Sequence, residues 1–353
     1  MTLTELKQVQ LYRQHITNKT DKLMAVRDLN GFQSQFLVNA YTALRIRCYD
    51  ELNPDNFGEG LVKNWTIRGT VHVFAESDLR LYKYESGCDE GHYHSHDWDT
   101  HRMYGECKIT ANRLEFLSRL IVDMVANGIT EREAIKIECY SAGMTEAESG
   151  FVFDQWGGLM RGLCERGFLC YRVREKKEFM ICPPFTPMSD DEATLEQWRR
   201  YFTNYAPATV RDTAYYFGCT QTKAKEMMKK LPLNEIEISG VKYYYLEELK
   251  EDYPDIPNCV LLAGFDPVML GYQKKDGLYL AENHIRGIFN LAGIVMPPIL
   301  LDGNVIGRWR KKKTKMTFEL FSDVKVGERD KRYIISTMEQ LFSDIRKTEW
   351  TVI

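Results

Sequence analysis

No C-x-x-C pair occurs among the nine cysteines, and their number is odd, so the chain carries neither a disulfide framework nor a zinc-finger ligand set. They read as reduced thiols. No stretch approaches the roughly 20 apolar residues of a membrane span. The opening segment "MTLTELKQVQLYRQHITNKT" has no apolar leader region, and the expected location is the cytoplasm, with no membrane partner. Low-complexity tracts are missing too, so the domains are expected to pack closely. Nor is there excess positive charge: 47 Lys and Arg face 50 Asp and Glu, for a net charge of −3, whereas a constitutive nucleic-acid binder is usually basic. Any DNA contact must therefore use local patches. What is present is 353 residues, 44% of them hydrophobic, which is enough for several domains with cores of their own.

"TLTELKQVQLYRQHI" sets Leu3, Leu6, Val9 and Leu11 near a helical period, with Thr4 as its cap. After the turn signal Asn30-Gly31, "FLVNAYTALRIRCYDEL" reads as a helix ending before Asn53-Pro54, and "WTIRGTVHVF" alternates as a strand. From about residue 110 the order becomes helix, helix, helix, hairpin: "NRLEFLSRLIVDMVANG", then "TEREAIKIECYSAG" opened by the capping box Thr130 and Glu133, then "TEAESGFVFDQWGGLMRGLCERG", then "FLCYRVREKKEFMIC". Those are the parts of a winged helix. They recur in "DEATLEQWRRYFTNYA", "PATVRDTAYYFGC", "TQTKAKEMMKKL" and a hairpin around Ser239-Gly240. Beyond about residue 255, apolar runs split by Gly, Pro and Asp, with Asp302-Gly303-Asn304 as hairpin-turn chemistry, read as β-rich. The expected fold is α+β, with tandem winged-helix units followed by a β-rich domain. The boundaries are 1–108 for a degenerate first unit, 109–187 and 188–254 for the next two, and 255–353 for the last.

Two short stretches carry candidate chemistry. In "GFQSQF", residues 31–36, Gln33 and Gln35 diverge if the segment is helical but face one side if it is extended, opposite Phe32, Ser34 and Phe36. Amides do not titrate, yet they accept and donate hydrogen bonds and so can hold a water. The plainer alternative is a pair of surface amides. In "WTIRGTVH", alternation puts Arg68, Thr70 and His72 opposite Ile67, Val71 and Val73, with Gly69 allowing close backbone approach. The alternative there is a solvated strand face.

These two stretches, followed in order by "YAPATVRDTAYYFGC", "AGFDPVMLGY" and "LLDGNVIGRWR", resemble the AlkZ-like family of bacterial winged-helix DNA glycosylases over nearly the whole chain. The resemblance implies tandem winged helices with a barrel-like C-terminal domain, no metal or other cofactor, and double-stranded DNA bearing alkylated or crosslinked purines as partner. It implies a catalytic Gln-x-Gln pair, Gln33 and Gln35, with Ser34 where the family has a hydrophobic residue. Thr70 and His72 match the family's Thr-x-His motif of the DNA-binding cleft, so His72, with Arg68 and Thr70, is expected to position the lesion strand through phosphate or sugar. An N7-alkylated purine is already cationic and needs little leaving-group protonation, so two amides suffice to place water below C1′. N7 adducts project into the major groove, which brings interstrand crosslinks within reach.

Backbone contacts are expected from Lys176 and Lys177 at a hairpin tip and from the run Arg308, Arg310, Lys311, Lys312 and Lys313. "GHYHSHDWDTH" gathers four of the seven histidines, His92, His94, His96 and His101, near Cys88 and Cys107. Its spacing is not that of a closed metal site, and it reads as a polar loop. The expected activity is monofunctional hydrolysis of N7-alkylpurine glycosidic bonds, crosslink unhooking included, by a monomer. The competing reading is a non-enzymatic winged-helix transcription regulator, which a palindromic footprint would favour.

Overall fold

The computed structural model describes residues 1–49, 51–53, 57–66, 68–83, 109–154, 158–275 and 277–353, and the chain divides into two compact units, Met1–Asn53 with Trp198–Ile353, and Pro54–Gln197. The first unit opens with α1 (Leu3–Arg13), which buries Leu6, Val9 and Leu11. Its cap is Thr2 rather than Thr4: the Thr2 hydroxyl accepts from the Glu5 amide at 3.2 Å and the Glu5 carboxylate from the Thr2 amide at 2.6 Å. Thr4 already lies in the first turn. Helix α2 (Lys22–Asp28) ends where Asn30 (φ 54°) and Gly31 (φ 79°) turn left-handed, and the Gly31 amide donates to the Val26 carbonyl at 2.7 Å. The extended pair β1 (Phe32–Gln33) leads into α3 (Leu37–Arg45). This helix stops short of the Asn53 expected from periodicity, because Arg47 turns inward to buried partners.

In the second unit, β2 (Leu61–Trp65) and β3 (Val71–Ala75) pair antiparallel from Leu61 with Ala75 to Trp65 with Val71. "WTIRGTVHVF" is therefore not one strand. The chain reverses between Thr66 and Thr70: the Gly69 amide donates to Thr66 O at 2.9 Å, the Thr66 amide to Thr70 O at 3.2 Å, and Gly69 has φ 68°. Polar and apolar residues keep alternating through the turn, which hides it in the sequence. The helices Ala111–Ala126, Arg132–Ser141, Glu146–Val152 and Gly158–Glu165 follow, then the hairpin of β4 (Leu169–Tyr171) and β5 (Phe179–Ile181). The third expected helix is thus two, and Gly158 at φ 73° cannot continue a right-handed helix. The Thr130 and Glu133 capping box does not form; Glu131 is the N-cap, and the Thr130 carbonyl accepts from the Phe179 amide at 2.8 Å. Leu117, Ile121, Ile135, Cys139, Leu163 and Phe179 meet in the core. Strands within this unit run in the order β3, β2, β4, β5.

From Trp198 the first unit resumes in the helix Asp190–Asn204, followed by Val210–Phe217, Gln221–Met228 and the hairpin of β6 (Asn234–Ile238) and β7 (Val241–Tyr245), turning at Ser239 and Gly240 as read from sequence. Buried tyrosines bind this region to α1: Gln14 Nε2 donates to Tyr272 Oη at 2.7 Å, Tyr272 Oη to Tyr205 O at 2.7 Å, and Tyr279 Oη to Gln10 Oε1 at 3.0 Å. A second sheet joins β8 (Cys259–Leu261), β9 (Pro298–Leu301), β10 (Asn304–Lys312), β11 (Lys315–Leu320) and β12 (Lys347–Val352), with β12 parallel to β11. The expected turn at Asp302 and Gly303 is present, at φ 45° and 73°. This sheet is open, with β8 and β12 as edges, and does not close into a barrel. Helix Glu328–Leu341 sends Ile334 and Met338 into its core, so a helical layer supplies the burial that closure would have given. Among the described residues no helix is long and apolar enough to cross a membrane.

Candidate active site

Residues 32–36 are non-helical, with Phe32–Gln33 in a short strand, and this decides where the two amides go. Phe32 and Ser34 are buried, Gln33 is half-buried and Gln35 is exposed. The amides meet on the outer side, where Gln33 Nε2 donates to Gln35 Oε1 at 3.2 Å. That hydrogen bond leaves Gln33 Oε1 and the Gln35 amide nitrogen turned to further partners. Ser34 points inward, where the family pattern puts an apolar side chain, so its small hydroxymethyl occupies the scaffold side of the strand. Phe36 departs from the expected alternation: it is exposed and stacks on Phe265, with ring centroids 6.3 Å apart.

Behind the pair lies an ion pair that periodicity alone could not reveal. Arg47 and Asp266 are both fully buried and joined by two hydrogen bonds of 3.0 and 2.7 Å, while Arg47 also donates to the carbonyls of Gln14 (3.0 Å) and Ala43 (2.9 Å). Its guanidinium sits 5.5 Å from the centroid of Phe32, directly beneath the amide-bearing strand. Asp266 caps the helix Pro267–Leu270 by accepting from the Val268 amide at 3.0 Å. The sequence signal was "FDP", an Asp cap before a Pro at the first helical position.

Arg68, Thr70 and His72 belong to the other unit. His72 is 1% exposed. Its Nδ1 lies 3.1 Å from Thr66 Oγ1 and 3.0 Å from the Thr70 carbonyl oxygen, bracing the turn that carries Arg68 and Thr70, both half-buried. Burial, and then the charge of Arg68, push its pKa down to about 3, so the imidazole is neutral at physiological pH. A buried neutral ring is not arranged as a phosphate ligand. The solvated strand face considered from sequence is not found at His72, since all of β3 is buried, while Arg68 and Thr70 stay partly open to solvent.

The basic residues divide by partner. Arg308 and Arg310 both bind the buried carboxylate of Glu319, and Lys311 pairs with Asp344 at 2.7 Å. Lys312 and Lys313, at the β10 to β11 turn, are exposed and make no ion pair among the described residues. At the β4 to β5 tip Lys176 pairs with Glu131 at 2.5 Å, and Lys177 is exposed. The cluster of His92, His94, His96 and His101, with Cys88 and Cys107, lies outside the described residues, and among those described no set of three or more His, Cys, Asp or Glu could hold a metal. Burial pushes the thiols of Cys139 and Cys259 up to about 11 and about 12, which removes them as nucleophiles.

Comparison with known proteins bears on this geometry. Residues 26–341 match the model of the family described as "DNA glycosylase AlkZ-like". The chain is 23% identical over 290 residues to an interstrand DNA cross-link repair glycosylase of Streptomyces sahachiroi, covering 78% of this chain and 76% of that one. The solved structure of Streptomyces sahachiroi DNA glycosylase AlkZ superposes with a TM-score of 0.77 at 20% identity, covering 100% of both chains, and shares the fold.

Proposed function

The chain belongs to the AlkZ-like DNA glycosylase family, and from that premise we propose that it hydrolyses the N-glycosidic bond of cationic N7-alkylated purines in duplex DNA, interstrand crosslinks included. The observation that carries this reading is the Gln33 to Gln35 hydrogen bond, which aligns two untitratable amides on one exposed edge. A water held by Gln33 Oε1 attacks C1′. The C1′–N9 bond breaks with its electron pair passing to the purine, whose positive charge is thereby cancelled, and the water's proton leaves to solvent. Because the leaving group is charged at the outset, no acid has to protonate it, and the amide oxygens stabilise the oxocarbenium-like transition state. A neutral purine lacks that advantage, so the site is selective for cationic lesions. No cofactor enters this chemistry.

The helix and hairpin sets of 109–187 and 188–254 act as winged-helix units, 1–108 as a degenerate one bearing the catalytic pair, and 255–353 as the C-terminal domain of a monomer. Arg68 and Thr70 contact the lesion strand, and His72 acts through them by holding their turn. Lys312 and Lys313, with Lys176 and Lys177, contact phosphates. Base release from duplexes carrying 7-methylguanine, and strand separation of an N7-crosslinked duplex, test the activity. Release that requires Gln33 and Gln35 supports it, whereas tight duplex binding with no release moves the chain to the non-enzymatic regulator.

A further inference from the structure

Phe36 directly follows Gln35 and is 48% exposed, and Val38 beside it is 57% exposed. A large aromatic left half in water needs a reason, and this one is held in place rather than free. Its backbone is extended (φ −114°, ψ 108°) at the head of α3, and its ring stacks at 27° on Phe265, which is itself buried. Phe265 is fixed in turn: it adopts φ 56°, and its neighbour Gly264 packs so closely that an added Cβ would lie 2.9 Å from the Asn39 side chain of α3. The result is an apolar ledge immediately after Gln35 in the chain, its ring backed by Phe265 and half open to solvent.

We propose that Phe36 is the stacking surface for the nucleobase undergoing hydrolysis, a positioning role that rests on the glycosylase reading above. A π-face beside the amides suits a cationic purine for two reasons. Any base stacks on an aromatic ring, and a positive charge over the ring is further attracted by its quadrupole. Preformed by Phe265, the ledge loses little conformational freedom when the base arrives. It also sorts lesions by charge before any bond breaks, which the amides do only in the transition state.

The test uses the full chain and a duplex with a single 2′-fluoro-7-methylguanosine, whose electron-withdrawing fluorine resists hydrolysis and whose base fluoresces. The wild-type protein should prefer this duplex over the undamaged one and quench the base. Phe36→Leu should lose about five-fold to a hundred-fold of that preference, the range for removing one base-stacking aromatic, together with the quenching, and Phe36→Trp should restore both. Gln35→Ala should keep preference and quenching while losing base release from ordinary 7-methylguanine. Phe36→Leu with preference and quenching intact overturns the proposal and leaves the catalytic reading standing. Preference and quenching in a wild-type protein that releases no base does the reverse.

Discussion

The segment Gly31–Phe36 and the turn Thr66–His72 look alike as sequence. Each has a glycine with positive φ, Gly31 at 79° and Gly69 at 68°, followed by polar residues two positions apart. The structure turns them in opposite directions. Gln33 and Gln35 face outward and bind each other, whereas His72 is turned in and bonded to its own hairpin. The side chain that would titrate near neutrality in water is the enclosed one, held neutral by burial, and the groups left at the surface cannot titrate at all. Alternation reports that two faces differ but not which face meets solvent.

The largest expected effect comes from what lies under the outward pair. Arg47→Ala or Asp266→Ala strands a buried charge and should cost about 3 to 5 kcal/mol, read by denaturant unfolding. Arg47→Met combined with Asp266→Leu removes both charges and should recover much of that stability. If base release stays low in the stable double variant, the ion pair serves to hold Phe32 and the amides in register. If release returns fully, any apolar filling supports the strand equally well.

Next in size are the amides. Gln33→Ala or Gln35→Ala should slow single-turnover release of 7-methylguanine by tens to hundreds of fold, equivalent to about 2 to 3 kcal/mol of transition-state stabilisation, with duplex affinity nearly unchanged. Gln35→Asp should retain activity, since a carboxylate offers the same acceptor with added negative charge. A double alanine variant that cleaves at the wild-type rate removes both residues from the chemistry.

Much of this architecture was legible because local rules govern it. Ser239-Gly240 and Asp302-Gly303 turn hairpins, and the Gln-x-Gln pair is useful only if non-helical, which it is. What could not be read depends on partners far along the chain. Arg47 looks like another residue of a surface helix until Asp266, more than two hundred positions on, supplies its carboxylate. Phe36 looks like a core residue until Phe265 takes up one side of it. The C-terminal sheet was expected to close, and the helix Glu328–Leu341 that makes closure unnecessary carries a polar outer face that says little about where it packs.

The inward group gives a smaller, pH-confined effect. A folded-state pKa of about 3 lies below the 6.5 of free imidazole, so between those values the unfolded chain takes up a proton that buried His72 refuses. Its contribution is complete above about pH 6.5 and is lost as pH falls toward 3. Melting temperature measured against pH should therefore drop on acidification, and His72→Asn should flatten that drop. Base release should stay level from about pH 6.5 to 9, because neither amide titrates and His72 is already neutral there. A rate that follows a pKa near 6.5 would place a titrating imidazole in the chemistry and reverse the comparison.

The smallest effect extends the same inward and outward sorting to the basic run. Arg308 and Arg310 are directed to Glu319, while Lys312 and Lys313 at the turn have no ion-pair partner among the described residues. Only lysines free to meet phosphate displace counterions, so Lys312→Ala with Lys313→Ala should weaken duplex binding equally for all sequences and lower the salt slope by up to about two. Arg310→Ala should lower the slope by less than the lysine pair does, because Glu319, which Arg310 shares with Arg308, offsets part of its charge. The catalytic rate at saturating protein should not change in either variant, since phosphate contacts act before the bond breaks. A slope lowered by the arginine variant and not by the lysine pair would mean that binding reorganises the Glu319 cluster and that the partners seen in the free protein do not foretell the interface.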